Sequence, residues 1–283
     1  MKYVLITGAS TGIGFEAAKY LAKRGFTVFA GVRADSDFER IDSLDKNLKA
    51  IKIDITDEKS IDDAVVHMTN LVTQDDDFAL INNAGIVKAG PLEHIDINDL
   101  RMQLEVNVTS QVLVTQKFLP LLRISNIGRI IFTGSNSGVF TTPLNTPYAA
   151  SKHAMEAIAD GFRRELLGNS KITVSLLQPG QIKTPIWSKS LAVAKDAREA
   201  YPEDVEVKYG KLTQAIEKKV AFANDNAASP DVVSKAIHHA LTSPEPKTRY
   251  YMGKSSFITQ NLFKYLPDKL MDKILRKILK YWS

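Results

Sequence analysis

The sequence predicts an α/β fold: a doubly wound, parallel sheet of about seven strands with helices on both faces, in a single domain spanning residues 1–283. Three observations carry that expectation. Short runs rich in Val, Ile, Phe and Tyr alternate with segments of helical periodicity along the whole chain, and no linker, repeat or low-complexity tract interrupts them. The runs are mostly apolar rather than alternating with polar residues, as suits strands buried on both faces. The first of them leads directly into a glycine-rich turn and a helix.

That opening unit is YVLIT at 3–7, then GASTGIG, then FEAAKYLAKRG. Gly8, Gly12 and Gly14 meet three separate needs: a tight turn, close approach of backbone to a pyrophosphate, and close packing of helix on strand. Ser10, Thr11 and Ile13 share the turn, and the unpaired N–H groups at the helix start favour negative charge. The second strand, TVFAGV at 27–32, ends at Arg33 with no acid in the position that would bind a ribose 2′-hydroxyl. A guanidinium there suits a 2′-phosphate, so the pattern favours NADP over NAD. An ordinary surface arginine is the alternative, and Asp35 and Asp37 keep NAD in consideration.

KAIKI at 49–53 reads as the third strand, followed by Asp54 and Ile55; Asp54 could equally cap a helix beginning near Thr56. FALIN at 78–82 reads as the fourth, with Asn83, Ala84 and Gly85 after it. Asn107 lies in a helix-like segment, NDLRMQLEVNVTSQVLVTQKFLPLLR, where an internal polar residue does not help packing. RIIFT at 129–133, ITVSLL at 172–177 and RYYM at 249–252 complete the strands, and Pro179-Gly180 breaks the sixth. Between about 183 and 226 no clear helix appears, and Trp187, Tyr201, Tyr209 and Phe222 stand among charged residues, as in a substrate lid. Val139, Phe140 and Trp187 line a lipophilic pocket or belong to the core. From Leu266 to Trp282 apolar residues recur at helical spacing, with Lys269, Lys273, Arg276, Lys277 and Lys280 opposite. Such a basic amphipathic helix suits an anionic membrane surface, a cap on the pocket, a partner subunit, or its own subunit's core.

Tyr148 and Lys152 stand four apart at the start of YAASKHAMEAIADGFRREL, on one helix face, and Ser135 lies thirteen residues upstream. A phenol beside an ammonium, with a hydroxyl in reach, can give a proton to a carbonyl oxygen. The absence of cysteine excludes disulfides, thiol nucleophiles and zinc–thiolate sites. The histidines are scattered or adjacent, without metal-ligand spacing. The net charge of +5 lies mostly in the tail, where Lys264–Ser283 carries six Lys/Arg against two Asp, so a nucleic-acid partner is not expected. The first strand begins too early for a targeting peptide, and no run reaches the ~18 apolar residues of a membrane span, which suggests a cytoplasmic chain.

Taken in order and spacing, TGASTGIG at 7–14, Asp54 in IDIT, NNAG at 82–85, Asn107 in VNV, Ser135, YAASK at 148–152 and PG at 179–180 resemble the short-chain dehydrogenase/reductase family. VFAGVR and LPDKLMDKILRKIL are most similar to its branch of retinol and 17β-hydroxysteroid dehydrogenases and their bacterial relatives. The resemblance implies a Rossmann-type domain that transfers a hydride between NADP(H) and a small lipophilic carbonyl or alcohol. Within it, Tyr148 is the proton donor, Lys152 lowers the phenol pKa and binds ribose, Ser135 polarises the carbonyl, and Asn107 holds a water linked to Lys152. Asp54, with Ile55 beside it, would receive the adenine amino group; Asn83, Ala84 and Gly85 would pass the adenosine ribose; Ile182 and Thr184 would hold the carboxamide. Helices near 98–123 and 148–168 would pair copies into dimers or tetramers. An NAD-dependent dehydrogenase working oxidatively and a non-catalytic nucleotide-binding protein are the alternatives.

Overall fold

Seven strands form the sheet: β1 Lys2–Ile6, β2 Thr27–Val32, β3 Leu48–Lys52, β4 Asp77–Asn82, β5 Ile127–Thr133, β6 Ile172–Pro179 and β7 Arg249–Met252. They come from a computed structural model that describes residues 1–169, 171–186, 195, 198, 201–253 and 263–279. Every strand pair is parallel, in the order β3-β2-β1-β4-β5-β6-β7. The chain therefore winds outward from β1 in one direction, returns to β4, and winds outward in the other. At the β1–β4 boundary the loops leaving the carboxyl ends diverge, which opens the crevice where ligands bind in such sheets.

Both faces of the sheet are covered, and the period-2 geometry of the strands divides their side chains between two cores. Val4, Ile6, Val28 and Ala30 face helices α1 (Gly12–Ala22) and, after six others among the described residues, α8 (Asp231–Thr242), where Ala17, Leu21, Val233 and Ile237 are buried. Leu5, Phe29, Phe78, Leu80 and Phe132 face α3 (Glu58–Thr69), α5 (Ser110–Ile124) and α6 (Thr146–Glu165), meeting Ile61, Met68, Val114, Phe118 and Met155. A short α2 (Ser36–Asp42) follows β2, and α4 (Ile97–Leu104) joins α5 through a π turn at Glu105–Thr109. Strands expected from sequence lie within about two residues of those found, the usual fraying of such boundaries.

The stretch expected to hold no clear helix before 226 contains a long one, α7 (Glu203–Asp225). Its residues are good helix formers, but little of it is buried: Val205 and Leu212 turn inward, whereas Val207 and Phe222 are 86% and 71% exposed. A helix that presents so narrow an apolar stripe leaves little periodicity to read. Asp54 does not cap α3. Its carboxylate accepts bonds from the backbone N–H and hydroxyl of Thr56, while Asp57 caps the helix by accepting from the Lys59 N–H. The tail helix is α9 (Asp268–Leu279); Trp187, Lys280 and Trp282 lie outside the described residues.

Candidate active site

The exits of β1 and β4 are laced together. Gly8 has φ +62°, and a Cβ on it would stand 2.6 Å from the Ala84 Cα, so backbone passes against backbone here. The buried Thr7 hydroxyl accepts from the N–H groups of Asn83 and Ala84 at 3.0 and 3.1 Å, and the Asn83 amide donates to the carbonyls of Thr7 and Gly8. A Cβ on Gly14 would meet that same Asn83 amide at 2.5 Å. The N-cap of α1, Thr11, makes no side-chain cap bond, and the first turn holds no acid. Its N–H groups thus face the crevice without an internal competitor, which fits a dinucleotide pyrophosphate. On the far side, a Cβ on Gly12 would lie 3.7 Å from Thr184, so the segment after β6 closes over the glycine turn.

A polar stripe on the neighbouring helices holds the chain beyond β4. Thr115, Gln111, Asn107 and Gln103 recur every four residues, and all are buried. Asn82 donates to Thr115 at 2.9 Å; Gln111 donates to the Ala84 carbonyl; Asn107 both accepts from Ile86 N–H and donates to its carbonyl; Gln103 accepts from Lys88 N–H and donates to the Ile86 carbonyl, both at 2.7 Å. Residues 82, 84, 86 and 88 therefore pair in reverse order with 115, 111, 107 and 103. The match is metric: four helical residues rise about 6 Å and two extended residues about 6.6 Å. Positions four apart drift roughly 40° around an α-helix, and the wider π turn at Glu105–Thr109 counters that drift. Sequence reasoning found Asn107 alone. The signal for the others was present as Q-x3-N-x3-Q-x3-T, polar residues at four-residue spacing along one helical stretch.

Asn107 also donates to the Ser151 hydroxyl at 3.0 Å, and Ser151 donates to the Tyr148 carbonyl at 2.7 Å. The stripe thereby reaches into α6 between the two residues singled out by spacing. Lys152 is buried, and its Nζ donates to the Thr133 carbonyl at 2.7 Å while standing 5.6 Å from the centre of the Tyr148 ring. Burial lowers its pKa to about 8. Burial raises that of Tyr148, with a hydrogen bond to Ser135 acting the other way. Ser135, at the end of the β5 exit, is buried and joins the phenol, whereas Ser137 meets Asn145. The structure thus brings Ser135, Tyr148 and Lys152 together. The Asn107 side chain is engaged by Ile86 and Ser151.

The β2 exit is more cationic than its sequence suggests. Arg33 is exposed, while Asp35 pairs with Lys52 and Asp37 with Arg40. Arg40, unremarked in the sequence, reaches back 30 residues to donate to the Ser10 carbonyl at 2.8 Å, and its guanidinium lies 4.9 Å from the Phe15 ring centre. Ile55 sends its side chain into the core, leaving only its backbone beside Asp54 to meet a ligand. Past Pro179, Gly180 N–H donates to Met252, and the Ile182 region bridges Ala228, which holds Thr184 at the glycine turn. No group of residues able to hold a metal occurs among the described residues.

Comparison with known proteins agrees with this geometry. Residues 2–194 match the family model described as short chain dehydrogenase. The chain is 35% identical over 285 residues to the NADPH-dependent 3-dehydrocapnine reductase of Ornithobacterium rhinotracheale, covering 99% of this chain and 98% of that protein. It is 32% identical to the mitochondrial D-beta-hydroxybutyrate dehydrogenase of Rattus norvegicus, covering 96% and 83%. Among solved structures it superposes on a short-chain dehydrogenase from Streptomyces avermitilis with TM-score 0.74 and 23% identity, over 99% and 96% of the two chains. That last likeness concerns the fold.

Replacing Gln103 by Leu should leave the Lys88 N–H and one bond of the Ile86 carbonyl unmet inside the protein. A loss of about 1–3 kcal/mol is expected in urea unfolding; an unchanged midpoint would show that the stripe does not support the loop.

Proposed function

Since the chain belongs to the short-chain dehydrogenase family, we propose that it is an NADP(H)-dependent oxidoreductase that reduces a lipophilic carbonyl compound, within one domain, through Tyr148, Lys152, Ser135 and Asn107. The observation that carries the reading is the cluster of a half-buried phenol with a buried ammonium and hydroxyl at the β5 exit, joined through Ser151 and Asn107 to the chain leaving β4. When bound, the nicotinamide supplies the hydride. Gly8, Ser10, Thr11, Gly12, Ile13 and Gly14 would hold the pyrophosphate; Asp54, Ile55, Asn83, Ala84 and Gly85 the adenosine; Pro179, Gly180, Ile182 and Thr184 the carboxamide end.

The chain's own groups account for the proton. The raised pKa of Tyr148 keeps its phenol protonated through the neutral range, the form needed to donate from Oη to a carbonyl oxygen. As that proton leaves, the phenolate forms on a ring whose centre lies 5.6 Å from the Lys152 ammonium, and the opposite charges attract. Ser135 orients the carbonyl against the phenol. Asn107 holds α6 in place through Ser151.

Two features favour NADP. Arg33 is exposed at the β2 exit while both nearby acids are neutralised, and the name of one relative joins NADPH to reduction. The names of the relatives differ in substrate, so the lipophilic class rests on this chain: a cavity of about 230 Å³ beside the segment that runs into Tyr148 is lined by Pro143, Leu275 and Leu279 together with three threonines and Asp272. A larger, shallow and polar depression near Arg123, Glu165 and Lys171 lies at the opposite, amino-terminal edge of the strands, away from the chemistry.

Tyr148→Phe should lower NADPH-dependent carbonyl reduction by about 10²-fold or more while NADPH binding, followed by fluorescence, persists; undiminished turnover would sink the mechanism. The Lys152 ammonium is present below pH 8 and lost as pH rises through it, so kcat/KM for reduction should fall above about pH 8. A profile flat to pH 10 would remove Lys152 from the proton step. Arg33→Ala should raise KM for NADPH about tenfold or more and spare NADH; equal use of both cofactors, unaffected by the change, would favour the NAD-dependent reading.

A further inference from the structure

Helix α9 carries two apolar sectors where a helix packed only on its own subunit needs one. Met271, Leu275 and Leu279 turn inward. Around the helix, at roughly 100° per residue, Leu270, Ile274 and Ile278 form a second stripe. Leu270 and Ile278 are 45% and 47% exposed, and Ile274 is half-buried. Lys269, Lys273 and Lys277 are exposed and follow that stripe at the same four-residue interval along its solvent side. An apolar strip bordered by a row of cations is the surface that a headgroup–acyl boundary accepts: the strip enters the apolar layer and the lysines meet phosphates.

The inward side of α9 touches the site. Asp272, Leu275 and Leu279 wall the 230 Å³ cavity whose other wall is Thr141, Thr142, Pro143 and Thr146, the segment that runs into Tyr148. Just before α9, the rings of Phe140 and Phe263 meet at 5.2 Å, tying the two walls together. No described helix is long and apolar enough to cross a membrane, so insertion would be confined to one face.

We propose that α9 docks this protein on an anionic membrane surface through Leu270, Ile274 and Ile278 with Lys269, Lys273 and Lys277, placing the cavity beside a lipid phase. The occupant is a bilayer rather than a second copy because the stripe is bordered by like charges, which two copies would bring into repulsion. That the cavity then draws a lipophilic carbonyl compound from the bilayer rests on the function proposed above.

The test is sedimentation of the full chain with phosphatidylcholine vesicles, with and without phosphatidylserine. Partition onto the anionic vesicles should be about tenfold stronger and should weaken with salt. Leu270→Glu with Ile278→Glu should abolish it, and Lys273→Glu with Lys277→Glu should reduce it to the neutral-vesicle level. Turnover of a short, water-soluble ketone with NADPH should be unchanged in both double variants, which reports that they are folded. No sedimentation with either vesicle, or undiminished binding by the double variants, overturns the proposal. So does a concentration-dependent dimer that the leucine–isoleucine variant alone breaks. If no protein, wild type included, turned over any ketone, circular dichroism would report folding; that result would count against the catalytic reading and leave the vesicle result standing.

Discussion

Backbone that leaves a parallel sheet at the point where strand order reverses has no neighbouring strand to pair with, and beyond β4, the exposed Gly85 apart, it is partly covered. Each of its N–H and C=O groups needs a partner. Here side chains from one helical stretch supply several of them, at alternate residues from Ala84 to Lys88, while the Asn82 side chain meets Thr115. The same stripe passes through Asn107 to Ser151 and so into α6, between Tyr148 and Lys152. The chain beyond β4 and the helix that carries Tyr148 and Lys152 are positioned by one row of buried amides and hydroxyls. Such a network is stable only when its members are paired, which makes its geometry specific.

The cluster of Ser135, Tyr148 and Lys152 carries the opposite energetic character. An ammonium buried beside a phenol loses hydration that one carbonyl cannot fully replace, and its pKa falls accordingly. Between pH 8 and the unfolded lysine value, the unfolded chain binds the extra proton more readily, so this group favours folding increasingly as pH rises across that window. Below it, the buried charge costs stability. In the reaction proposed, that cost is the counterpart of an attraction that would act as a phenolate forms, because the same poor solvation that lowers the Lys152 pKa strengthens its field at Tyr148.

Where most of the candidate site residues lie was legible because the signals are local. The glycine turn between strand and helix, the four-residue spacing of Tyr148 and Lys152, and the residues closing each strand depend on chain neighbours, and all lie at the crevice where doubly wound sheets bind ligands. Helix α7 was missed because almost nothing on it is buried. Asp54 was offered a capping role that its neighbour Asp57 fills, since two carboxylates three residues apart compete for one helix start. Arg40 drew no notice because nothing within its own helix points to Ser10, thirty residues earlier.

By itself, then, the sequence determined the succession of strands and helices, the glycine turn after β1 and the spacing of Ser135, Tyr148 and Lys152, since periodicity and spacing encode what lies within a few residues. The tertiary structure decided which polar side chains meet which backbone groups, how the acids after β2 are neutralised, and where α9 lies against the Thr141–Thr146 segment. Those depend on groups far apart in the chain, and only folding brings them within hydrogen-bond or van der Waals range.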